Sequence, residues 1–189
     1  MKTATCYLKS ASPYSQSRHI DTPKKDRESA DDYEKRTWRE RLHVNGDGHV
    51  VISPMSFANC VKEAAKYLSI QIPGKGKSTY TKHFESGVMV LEPLVLASVA
   101  ADVPGEWLFV PADGIRGSGK RVMKCFPKIE EWEGEVKFWV LDDTITQSVF
   151  EQVLRAAGLL IGLGRFRPRN CGIYGRFNCT KLVWEEANV

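Results

Sequence analysis

Residues 145–184 read ITQSVFEQVLRAAGLLIGLGRFRPRNCGIYGRFNCTKLVW, and the character of this stretch changes twice. Ile145, Val149, Val153, Leu154 and Ala157 recur at three- and four-residue spacing, the period of a helix with one apolar face. Asp142, Asp143 and Thr144 supply the start signal, and Gly158 and Gly162 mark the end. Asn178 to Trp184 reads as a closing strand. Between helix and strand, Gly162 to Phe177 holds Gly162, Gly164, Gly172 and Gly175, Arg165, Arg167, Arg169 and Arg176, three aromatic residues and no acid. Glycine lets a backbone approach a ligand closely and turn through positive φ, while arginine offers a planar fork of donors to phosphate and stacks on bases. A helix that delivers such a loop and a strand that leaves it predict a cradle for nucleic acid, against the plainer reading of a basic helix-to-strand turn.

Upstream of this stretch, Glu133–Leu141 alternates as a strand, with Val136, Phe138 and Val140 on one face and Glu135, Lys137 and Trp139 on the other. Arg121–Pro127 and Trp107–Val110 read as strands on either side of a glycine-rich loop, Asp113–Lys120, that carries Arg116 and Lys120. Gly87–Ala101 is apolar and partly β-branched, a strand followed by a turn or a short strand. Ser53-Pro54 opens a helix, and Phe57, Val61, Ala64, Ala65 and Leu68 give it an apolar face. Thr3–Ser10 is a first strand, Ala11–Arg36 a long polar loop, mobile without a ligand, and Thr37–Val44 with His49–Ser53 an inserted hairpin around Asn45–Gly48. Ile70–Phe84 brings Lys75 and Lys77 on flexible backbone, without the GxxxxGK[ST] spacing of a phosphate loop.

The main elements run strand, helix, strand, strand, helix, strand. That order predicts an α+β chain with a ferredoxin-like or RRM-like βαββαβ core. Inserted β-hairpins and a C-terminal Gly/Arg-rich loop complete the expected fold. It forms one domain over residues 1–189, with insertions at 11–53, 70–86 and 111–128.

The composition is that of an ordinary globular chain: 189 residues, 42% hydrophobic and 26% charged, with a net charge of +4. The distribution says more than the sum. Residues 111–129 carry Arg116, Lys120, Arg121, Lys124 and Lys128 against Asp113, and 155–181 carry six basic residues and no acid, while 130–152 hold seven acids against Lys137. Such segregation is expected when one face meets a polyanion. The five cysteines include no CxxC pair and the four histidines are scattered, so no disulfide framework, metal site or cofactor is expected. With no secretory signal and no membrane-spanning run, the expected setting is the cytoplasm, away from membranes.

The element order, the helix running into GLGRFRPRNCGIYGRF before the last strand, and the insertions resemble the repeat-associated mysterious protein superfamily. Within it, the backbone subunits of CRISPR effector complexes, which coat guide RNA, look closest. The chain is also similar to small phage proteins that share a segment like DDYEKRTWR (31–39) and an IGxGxFRP…GxF ending. The resemblance implies a nucleic-acid-binding module of phage or mobile-element origin. Two features depart from it: the aromatic submotifs of ordinary RNA-recognition motifs have no match, and the helix from Pro54 lacks the histidine that guide-processing relatives use.

Together these readings predict a non-catalytic protein that binds single-stranded nucleic acid, RNA ahead of DNA, through backbone phosphates. Arg165, Arg167, Arg169 and Arg176 are the expected phosphate contacts, with N–H groups of Gly162, Gly164, Gly172 and Gly175 assisting. Lys75, Lys77, Arg116 and Lys120 are outer clamps. Tyr174 and Trp38 are candidates for stacking, and Arg39 accompanies Trp38. The alternatives are a phage protein that mimics or engages a CRISPR backbone subunit, with self-assembly in view, and a metal-independent ribonuclease.

Overall fold

The computed structural model describes residues 1–115, 117 and 119–186. In chain order its elements are β1 (Lys2–Ser10), α1 (Ala30–Thr37), β2 (His49–Ile52), α2 (Pro54–Leu68), α3 (Thr81–Gly87), β3 (Val88–Val90), β4 (Leu94–Val99), β5 (Gly105–Pro111), β6 (Arg121–Pro127), β7 (Glu133–Val140), α4 (Gln147–Ala156) and β8 (Phe177–Glu186). It is a mixed α/β chain whose strands pair antiparallel throughout. The main sheet has four strands in the order β3-β7-β1-β8, and two two-stranded ribbons, β2-β4 and β5-β6, stand beside it.

Alternation explains the sheet. In β1, Ala4, Cys6 and Leu8 are buried while Tyr7 and Lys9 are exposed. In β7, Val136, Phe138 and Val140 point inward, as the sequence predicts. The register sets Cys6 beside Val136 on one side and Leu182 on the other, so the apolar rows of the central strands align. Helix α2 buries Phe57, Cys60, Val61, Ala64 and Ala65, and α4 buries Phe150, Val153, Leu154 and Ala156, all in the same core as the inward sheet residues. Phe150 is the hub between layers, with ring centroids 5.4 Å from Phe138 and 5.6 Å from Trp184. Helices are found at both expected positions, as α2 and α4, with strands before, between and after them.

The insertions differ from expectation. Thr37–Val44 is not a strand: α1 ends at Thr37 and a 3-10 turn covers Trp38–Arg41. Local chemistry favours the helix. The Ser29 hydroxyl caps the Asp32 N–H at 3.1 Å, Asp31 and Asp32 sit in the first turn, and Lys35 and Arg36 in the last, matching the helix dipole. Trp38 and Arg41, three apart, are both buried, which is helical rather than strand spacing. Only a Val44–Val50 bridge remains of the expected hairpin, and β2 pairs with β4 instead. The polar run after β1 is anchored at its start: Tyr14, Ser15 and Gln16 are buried, and Gln16 accepts from the His43 N–H at 2.7 Å while donating to the Val51 carbonyl at 2.8 Å. The end of the 70–86 insertion folds as α3. Among the described residues no helix is long and apolar enough to cross a membrane.

Candidate nucleic-acid interface

Helix α4 runs on through a π turn, Ala157–Ile161, and stops at Gly162, where φ is 75°. The chain then folds back on itself and on the residues after β1. Leu163 donates to the Gly175 carbonyl at 2.9 Å, Tyr174 to Phe166 at 3.0 Å, Arg165 to Ser15 at 2.9 Å and Gly175 to Pro13 at 2.7 Å. Gly175 has no substitute: its φ is 77°, and a Cβ there would run into the backbone of Leu163. This stitching corrects one expectation. The N–H groups of Gly162, Gly172 and Gly175 donate to Ala157, Arg167 and Pro13, so they are spent inside the protein rather than offered to a phosphate.

The arginines of the loop part company. Arg167 Nη2 lies 3.0 Å from one oxygen of Glu63 on α2, and Arg169 Nε lies 2.9 Å from the other. These two clasp a helix through one shared partner, Glu63. Arg176 donates to the carbonyls of Leu159 at 3.1 Å and Ile173 at 3.3 Å. Arg165 turns the other way. Its guanidinium lies 3.5 Å from the centroid of the Phe126 ring, and its Nη1 is buried with no hydrogen-bond partner among the described residues. Burial lowers its pKa below the usual arginine value, opposed by the nearby Glu106; an arginine so placed stays charged.

Arg165 opens onto a cleft of about 780 Å³ between the glycine-rich loop and the β5-β6 ribbon. Arg41, Arg121, Lys124, Phe126 and Phe166 line it as well. Beneath it the Glu34 carboxylate is buried, 2.8 Å from Arg41 Nη1, 3.0 Å from Lys124 Nζ, and accepting from the Cys125 N–H at 2.8 Å. Burial alone would push the Glu34 carboxyl up, but these three donors together hold it below the usual carboxylate value. Four cations lining the cleft less this one carboxylate leave a net of three positive charges. Arg41 lies 5.1 Å from the centroid of the same Phe126 ring. Phe166, 42% exposed, is held at φ 55°, a left-handed conformation that non-glycine residues seldom adopt.

The other expected contacts fall elsewhere. Trp38 is buried against Gly105 with Arg39 4.2 Å over its ring, and Tyr174 is buried with its hydroxyl donating to Glu106 at 2.8 Å; neither offers a free face for stacking. Lys75 and Lys77 are exposed on the turn after α2, outside the cleft lining. Lys120 is exposed and outside the cleft lining, and its carbonyl accepts from the N–H of Ala112, which lines the cleft. Arg116 lies outside the described residues. Arg41, Arg121, Lys124, Phe126 and Phe166 line the cleft but are not among the contacts expected from the sequence. The β6 pattern held a usable signal: Val122, Lys124 and Phe126 share one face of a strand, a cation set directly beside an aromatic. Among the described residues no group of three or more His, Cys, Asp or Glu side chains is placed to hold a metal.

No family model matches the chain, and no curated protein sequence matches it.

Proposed function

We propose that this chain is a non-catalytic domain that binds single-stranded nucleic acid, RNA ahead of DNA, in the cleft between the glycine-rich loop and the β5-β6 ribbon. The core is read as ferredoxin-like, supported by the sheet order β3-β7-β1-β8, in which both helix-containing connections, through α2 and α4, join strands of one antiparallel sheet. The observation that carries the function is Arg165: a half-buried guanidinium with no carboxylate partner among the described ion pairs, lining a cleft of net positive charge. A guanidinium without a carboxylate partner gains most from an anionic oxygen, because charge-assisted hydrogen bonds are the strong ones. The exposed ring of Phe166 beside it favours a strand whose bases are free to stack, which a duplex does not offer. RNA is set ahead of DNA on the resemblance to guide-coating proteins.

The test is fluorescence anisotropy of labelled oligouridine and oligothymidine with the purified chain and with Arg165→Gln. Loss of one charge-assisted contact should weaken binding by roughly 10- to 100-fold. Absence of binding to any single strand at low salt would overturn the reading and favour a protein-interaction role.

A further inference from the structure

Strand β8 ends the main sheet: it pairs with β1 on one side and with no other strand among the described residues on the other. It is ten residues long, with no proline to blunt its edge. Such an edge presents a row of unpaired backbone donors and acceptors. The register shifts once, opposite Tyr7 and Leu8, and from Lys181 to Glu186 the ladder with β1 is regular. Leu182 and Trp184 pack against the core on the helix side, while Lys181 lies 5.2 Å from the Tyr7 ring on the open face, with Val183 and Glu185 sharing its side by alternation.

We propose that the occupant of this edge is a second copy of the chain, paired antiparallel about a two-fold axis through Val183. In that register Lys181 faces the partner's Glu185, Leu182 faces the partner's Trp184, and Val183 faces itself. Opposite charges and apolar pairs directly across an antiparallel ladder are the stabilising arrangement, and the two-fold makes each pair twice. Neighbouring registers lose this. An axis at Leu182 sets Lys181 against Val183, and one at Trp184 sets Val183 against Glu185. An axis between two residues matches open-face with helix-side positions and breaks the faces apart. The chosen axis keeps both helix layers on one side of a continuous eight-stranded sheet. On that side, a groove of about 520 Å³ between α4 and β8, with Leu154 and Leu182 in its lining, borders the edge. The inference is independent of the nucleic-acid cleft, to which β8 contributes no lining residue.

Light scattering behind size exclusion, on the full chain over a range of concentrations, tests it. The wild-type chain should be a dimer that dissociates on dilution. Lys181→Glu places carboxylates opposite each other and Glu185→Lys places ammonium groups opposite each other, so each alone should weaken dimerisation roughly 10-fold or more. The Lys181→Glu, Glu185→Lys double variant restores both pairs and should dimerise again. An equal mixture of the two single variants should form a heterodimer, which also shows that each is folded. A monomer at every concentration, a dimer indifferent to both single changes, or a failure of both rescues would overturn the proposal.

Discussion

Arg165, Arg167, Arg169 and Arg176 are the same side chain in one loop, and what each finds within reach separates them. Arg167 and Arg169 share Glu63 from a position only partly buried, so solvent screens the pair and its worth is modest. Arg167→Ala with Arg169→Ala should therefore cost about 1 kcal/mol of stability. That lowers the thermal midpoint by about 2 to 4 °C in a chain of this size, while affinity for single strands stays as it was. Arg165→Gln should do the opposite, because it removes a cation that lines the cleft and pairs with no carboxylate among the described ion pairs: affinity falls and the midpoint is nearly unchanged. One melting curve and one titration on each variant decide between these outcomes. Glu34 has a sharper signature. Its carboxyl is held below its usual value in the folded chain, so its stabilisation is complete above the unfolded value of about 4.3 and is lost as pH falls through the lower folded value. Glu34→Ala strands the buried Arg41 guanidinium and should cost about 3 kcal/mol at neutral pH. The variant should then show a flatter loss of stability than wild type in acid melts below about pH 4.3.

At the scale of elements, whatever depends on a local period was legible in the sequence, and whatever depends on a distant partner was not. The apolar stripe of α4, the Phe57 to Ala65 face of α2 and the Val136, Phe138, Val140 row of β7 are each fixed within one stretch of chain, and each is found where the spacing puts it. Thr37–Val44 misled because alternating charge over a short run fits a strand as well as it fits the end of a capped helix; the Ser29 cap lies outside that run. The choice between phosphate and Glu63 for Arg167 and Arg169 lies outside any local pattern, since the carboxylate arrives from α2 through tertiary packing. The glycines of the loop serve its closure. They let Leu163, Phe166, Gly175 and Pro13 hydrogen-bond backbone to backbone, and so aim Arg165 at the cleft. Gly175→Ala forces a Cβ into Leu163 at a positive φ and should destabilise the chain by about 2 kcal/mol or more. It should weaken strand binding as well, unlike the arginine pair, because the splint that positions Arg165 is loosened.

At the scale of the whole molecule, the two basic runs each send part of their charge to one cleft: Arg121 and Lys124 from 111–129 meet Arg165 from 155–181 there, with Arg41 from the 3-10 turn. Four cations do not act as four, because Arg41 and Lys124 share the Glu34 carboxylate, so the cleft presents a net of three charges to a ligand. Single-strand affinity should then fall with salt along a log–log slope of about −2, at about −0.7 for each phosphate neutralised. Arg121 spends one donor on the Phe109 carbonyl yet has no carboxylate partner among the described ion pairs. Arg121→Gln should therefore lessen the slope by about 0.7. Lys124→Gln should change it less, because it removes a charge already half committed to Glu34. Equal effects of the two changes would mean that the strand displaces Lys124 from Glu34 on binding, and a slope near zero would mean that the cleft does not meet phosphates at all.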